Sequence, residues 1–291
     1  MALAVAWAVA ASLQATGAFA GMTPVGNMPA AVAPGGAPVA LGLAPKDPAL
    51  SLRPLRSVVT SEPAIAITFD ACATRSHSYG FDRPVYELLK RERIPATIFV
   101  AGRWVEGHPD VMAELSREPL IEFGDHSYQH PHMSRMSAAL IEAELDQTAA
   151  ALAKYGKRPV AFRPPFGEWS TRLIDVVQGK QLPTVTWDIV SGDPSARTTA
   201  AGMIKSVVSK ARPGSIVIFH INGRGHKTAE ALPVIVRELR ERGFRFVQVS
   251  ELMASRAGAP TVVHVELPPS TPTGTSPSPD TSTGTGTSAG P

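Results

Sequence analysis

The chain is 291 residues long, carries a formal charge of +3, and is 44% hydrophobic and 18% charged, which excludes wholesale disorder and leaves apolar material for one large core. Its Lys and Arg residues are scattered, so no basic patch is present and no nucleic-acid partner is expected. A single cysteine, Cys72, excludes an internal disulfide and a thiolate zinc cluster.

At the N-terminus an apolar run from Ala2 to Ser12 leads into Ala18-Phe19-Ala20, a small-x-small pattern of the kind a signal peptidase cleaves. The run is shorter than the roughly 17 to 25 apolar residues a spanning helix needs. Residues 1–20 are therefore expected to be an export signal, making the protein secreted, periplasmic or cell-wall associated. Residues 21–57, rich in Ala, Pro and Gly, read as a linker. The folded domain is expected over residues 58–254. Beyond it, residues 255–291 become largely Ser, Thr, Pro and Gly, too polar to offset their ordering entropy, and read as a disordered tail.

Within the domain, short β-branched runs alternate with amphipathic stretches. Strands are predicted at Ala64–Phe69, Ala96–Val100, Ile121–Phe123, Val160–Phe162, Thr184–Val190, Ser215–Phe219 and Phe244–Val249. Asp82 with Pro84, then Pro109, then Ser137 open three helices, the third running to Tyr155 and stopping at Gly156. Further helices are predicted at Thr171–Gln178, Thr198–Ala211 and Thr228–Arg242. Seven parallel strands separated by helices imply a sheet covered on both faces. Asp70, Asp125 with His126, Arg163, Asp193 and His220 follow five different strands at their C-terminal ends. An open sheet gathers only strands beside its switch point, whereas a barrel converges all of them, so a distorted β/α barrel is expected.

His126 and His130, spaced i, i+4, can turn two imidazoles toward one metal ion. Pro131 disfavours the α conformation at His130, so the pair belongs to a strand-to-loop turn and not to a helix interior. Asp125, just before the pair, is placed either to bind that ion directly or to hydrogen-bond one of its ligands. Asp70, at a strand end near a metal, is placed to deprotonate a water, and His220 to protonate a leaving amine. Arg163 precedes two prolines and a glycine, a stiff loop able to hold its guanidinium against a carboxylate.

Thr68-Phe69-Asp70, His126-Ser-Tyr-Gln-His130, Arg163-Pro-Pro-Phe-Gly167, Trp187 through Asp193, and Ile216-Val-Ile-Phe-His220 resemble, in order and spacing, the five motifs of the polysaccharide deacetylases (NodB-homology domain, carbohydrate esterase family four). The resemblance covers about Glu62 to Leu252. It implies a distorted β/α barrel and a divalent metal, usually zinc, held by His126 and His130. It implies a hydrolase removing N-acetyl groups from peptidoglycan or a chitooligosaccharide and releasing acetate, with no stable protein partner expected. By the same resemblance Asp70 is the general base, Arg163 its tether, His220 the general acid and Asp193 the carboxylate that orients it. Phe166, Trp187 and Tyr128 are expected to contact the substrate.

Three departures stand out. The family's first motif has a second aspartate as metal ligand where this chain has Ala71, followed by Cys72, so the third ligand is left open among Asp70, Asp125 and Cys72. Pro194 replaces a common second tryptophan, and the stretch from Ala73 to Phe81, with Arg75, His77 and Tyr79, offers another source of ligands or contacts. Three alternatives follow: an O-acetyl esterase, a non-sugar amidohydrolase on the same fold, or a glycan-binding wall protein that has lost catalysis.

Overall fold

The computed structural model describes residues 53–74 and 79–256. The expected export signal, most of the linker, nearly all of the tail, and Arg75 and His77 lie outside the described residues. No helix among those described is long and apolar enough to cross a membrane.

Six parallel strands form the sheet: β1 (Ala64–Ala71), β2 (Ala96–Val100), β3 (Ile121–Asp125), β4 (Ile189–Val190), β5 (Ile216–His220) and β6 (Arg245–Val247). Their order is β3-β2-β1-β5-β4, with β6 pairing the N-terminal part of β1. The α-helices among the described residues are α1 (Arg83–Arg91), α2 (Gly102–Gly107), α3 (Pro109–Leu115), α4 (Ala138–Ala153), α5 (Thr171–Gly179), α6 (Ala200–Lys210), α7 (Thr228–Glu241) and α8 (Val249–Ala254).

The sheet curls toward closure through isolated bridges instead of a seventh strand. Phe162 bridges both Asp125 at the end of β3 and Thr184, Val185 bridges Leu55, and Ser57 bridges Ser215 just before β5. This corrects four expectations. Val160–Phe162 and most of Thr184–Val190 are bridging coil, because Pro164, Pro165 and Pro183 interrupt the amide ladder on either side. Phe244–Val249 overruns: the strand stops at Val247, and Val249 begins helix α8. Leu55 to Ser57, read as linker, are paired into the closing arc, and Val58 is buried.

Alternation along the strands separates two cores. Ile65, Ile67, Phe69 and Ala71 of β1 face the helices, packing with Leu89, Trp104 and Leu232. Ala64 and Ala66 face the barrel interior, with Phe99, Ile216, Val247 and Leu252 of α8. Small residues at 64 and 66 leave the interior room for Phe99 and for the polar groups above it. Ser137, Ser170 and Thr199 cap α4, α5 and α6 by accepting backbone N–H bonds from Leu140, Leu173 and Gly202.

Candidate active site

Asp70, His126, Arg163, Asp193 and His220 meet at the C-terminal mouth of the barrel. Asp70 and His220 are directly opposed in the β1–β5 register. Arg163, fully buried, donates from Nη1 to Asp70 Oδ1 at 2.8 Å and from Nη2 to Thr68 Oγ1 at 2.9 Å and the Thr186 carbonyl at 3.2 Å. Its guanidinium also lies over the Phe99 ring, 3.9 Å from the centroid. Burial alone pushes the Asp70 carboxyl up, but the His126, Arg163 and His220 charges and the Arg163 hydrogen bond together hold it below the ordinary carboxylate range. Arg163 acts on Asp70 twice, as a neighbouring charge and as a hydrogen-bond donor.

Asp193 is saturated. Its Oδ1 accepts from His220 Nδ1 at 2.9 Å and Ser191 Oγ at 3.0 Å, while Oδ2 accepts from the His220 amide at 2.6 Å and Thr228 Oγ1 at 3.0 Å. With Nδ1–H committed to Asp193, His220 presents Nε2 to the mouth of the barrel.

The loop after β3 builds the histidine pair. Ser127 and His130 both adopt left-handed backbone, at φ 64° and 57°, and the Ser127 hydroxyl accepts from the His130 amide at 3.0 Å. Such conformations in non-glycine residues concentrate at functional sites. The two imidazole centroids lie 4.9 Å apart. His126 Nδ1 is bonded to the Arg163 carbonyl at 2.7 Å, and its Nε2 is buried without a hydrogen-bond partner. Burial, then repulsion from His126, pushes His130 down to about 3. Both rings are therefore neutral, the form that binds metal.

Among the described residues one group of three can hold a metal ion: Cys72, His126 and His130, with one donor atom of each within 4.8 Å of the others. The donor chemistry and the orphaned nitrogen fit a divalent cation. Asp70 lies outside this group, its Oδ2 3.5 Å from His126 Nε2. Asp125 also lies outside it, its Oδ1 accepting from the Ser127 amide at 2.7 Å, and burial raises its pKa well above the ordinary carboxylate value. Burial likewise pushes the Cys72 thiol up.

Of the expected substrate contacts, Phe166 is 53% exposed and stacks on His132, and Trp187 packs over Gly167 on the inner wall. Tyr128 is turned onto α2: its hydroxyl donates to Glu106 at 2.6 Å and its ring lies against Gly102. Asn222 carries no spacing signal and escaped the sequence reading, while Thr68 stood there only as a member of the first motif, with no role of its own. Trp169, 42% exposed, was legible only as an aromatic next to the proline loop.

At the mouth of the β/α barrel, Asp70 and His220 stand opposed beside a Cys72–His126–His130 group able to hold a cation. Residues 57–185 match the polysaccharide deacetylase family. A peptidoglycan-N-acetylglucosamine deacetylase of Bacillus cereus is 31% identical over 199 residues, 67% of this chain and 91% of that protein. The structure of a family 4 acetyl xylan esterase from Clostridium thermocellum, in complex with a cobalt ion, is similar at TM-score 0.57 and 31% identity, covering 66% of this chain and 90% of that one. A mutant of a Bacillus anthracis CE4-family pseudoenzyme, with restored enzymatic activity, is similar at TM-score 0.63 and 26% identity, covering 71% and 73%. Longer relatives are spanned only in part: 51% of the Bacillus subtilis protein YlxY and 32% of a bifunctional xylanase/deacetylase from Pseudobutyrivibrio xylanivorans. The chain belongs to the polysaccharide deacetylase family.

Proposed function

We propose that the protein is an exported, metal-dependent hydrolase that removes N-acetyl groups from an amino-sugar polysaccharide, peptidoglycan or a chitin-like chain, releasing acetate. The observation that carries this reading is the opposition of Asp70 and His220 across neighbouring strands, each held by its own buried partner, Arg163 and Asp193. A divalent cation held by the two histidines, zinc by the preference of such donors, supplies Lewis acidity toward the acetamide carbonyl. Asp70, kept ionised by Arg163, takes the proton of the attacking water. His220, its Nδ1 fixed by Asp193, delivers a proton from Nε2 to the departing amine. Phe166 and Trp169 offer exposed apolar faces on which sugar rings can lie, and Trp187 packs against Gly167. Relatives bearing peptidoglycan and chitooligosaccharide deacetylase names support both the substrate class and action outside the cytoplasm.

The test is incubation of zinc-loaded protein with chitooligosaccharides, peptidoglycan fragments and acetylxylan, reading acetate and the mass of each product. Loss of single acetyl groups from either amino-sugar substrate, abolished by a chelator, is the expected result. Release from acetylxylan alone sinks N-deacetylation in favour of the esterase. A second reading, glycan binding without catalysis, is favoured by Ala71 after Asp70 and by the likeness to a pseudoenzyme; it predicts glycan retention with no acetate from any substrate.

A further inference from the structure

The geometry points to Cys72 as the third protein ligand, making the centre a Cys-His-His site whose sulfur does the work of the missing carboxylate at position 71. The inference rests on the metal-dependent reading above and adds to it the identity of the donor set.

Three observations carry it. Side chains alternate along extended chain. Ile65, Ile67, Phe69, Ala71 and Ala73 all enter the helix-side core, so Ala71 is turned away from the site. The alternate residues face the interior, as Thr68 and Asp70 show by their bonds to Arg163, and Cys72 continues that row. Secondly, neither carboxylate belongs to the group of converging donor atoms: Asp70 holds Arg163 through Oδ1, and Asp125 accepts the Ser127 amide through Oδ1 while its buried Oδ2 has no hydrogen-bond partner. Thirdly, His126 Nε2 is buried without a partner while Nδ1 is held by the Arg163 carbonyl, so the available lone pair belongs to the Cys72–His126–His130 group.

The chain segment carrying the thiol is itself fixed. Asn222, fully buried beyond the end of β5, donates from Nδ2 to the Cys72 carbonyl at 2.9 Å, which makes it a positioning residue for the ligand. On binding, a metal–sulfur bond replaces the S–H bond of Cys72, and the proton leaves to solvent. An N₂S donor set selects zinc or cobalt over magnesium or calcium. Because sulfur fills the third position, Asp70 stays free to act as a base.

The test strips the purified full-length protein with a chelator and titrates it with Co²⁺. We expect about one equivalent bound, with a near-ultraviolet sulfur-to-cobalt charge-transfer band beside the visible d–d bands. Cys72→Ser should lose the charge-transfer band and bind cobalt roughly tenfold or more weakly, and Asn222→Ala should keep the band while also binding roughly tenfold more weakly. Asp70→Asn should keep the band. Stoichiometric cobalt with d–d bands but no charge-transfer band in the unaltered protein overturns Cys72 as ligand and leaves the metallohydrolase reading standing. No cobalt bound by the unaltered protein overturns both. The unaltered protein's spectrum decides the matter even if Cys72→Ser does not fold.

Discussion

Asp193 accepts four hydrogen bonds, two of them from His220, so a change of a single atom there should reach the chemistry. In Asp193→Asn one oxygen becomes an NH₂ that meets donors, leaving His220 free to take the wrong tautomer or swing out. We predict that kcat falls by about two to four powers of ten with KM little changed, read from acetate release by zinc-loaded protein. Asp125 sets a different test. Burial, opposed by the Ser127 amide but reinforced by Glu144 and Asp146, holds its carboxyl protonated well above the usual range. Unfolded, the same carboxyl ionises at the ordinary value, so between the two the folded state binds the extra proton and this group's contribution to stability falls as pH rises. Asp125→Asn removes that dependence. In chelator-treated protein the variant should gain on the unaltered chain as pH rises above the ordinary carboxylate range in urea unfolding, and a constant difference would refute the assignment. At this scale the sequence exposed the histidine pair and the strand-end acids through spacing. It hid Asn222 and the role of Thr68, whose bonds to Cys72 and Arg163 cross 150 and 95 residues of chain.

The elements were legible where local chemistry alone decides them. Ser137 caps α4 and Pro109 opens α3, as their residue types dictate, and β2 spans Ala96–Val100 as predicted. The misses share a cause. Val160–Phe162 and Thr184–Val185 have strand composition, but whether they pair continuously depends on partners far away in sequence, and here single bridges suffice. Gly214 shows how tightly those closures are built. It has φ +81°, and a Cβ there would lie 1.8 Å from the Val58 carbonyl oxygen, where the N-terminal segment crosses into β5. Gly214→Ala should therefore cost about 1 to 3 kcal/mol or more in chemical denaturation, through left-handed strain and displacement of Val58. An effect below about 0.5 kcal/mol would show that this crossing is looser than its geometry implies.

For the whole molecule, the closing arc moves the N-terminal boundary of the folded unit. Leu55 donates its amide to the Thr184 carbonyl and accepts from the Thr186 amide, and Arg56 Nε donates to the Trp187 carbonyl. A fragment of residues 53–256 should unfold at the same temperature as the full chain and bind the same amount of metal. A fragment starting at residue 58 should unfold several degrees lower, because it exposes the Val185 edge. Equal midpoints for the two fragments would restore the boundary inferred from composition.

Strand–helix alternation, the convergence of polar groups at strand ends and the two-histidine turn were written in local pattern, because hydrophobic period, caps and turn residues act over a few positions. Which groups share the interior was decided only by tertiary structure. The sequence left three candidates for the third ligand within a few residues of Asp70 or His126. The pairing of β1 between β2 and β5, with its odd-numbered residues packed against the helices, turns Ala71 into the core and brings Cys72 beside His126 and His130.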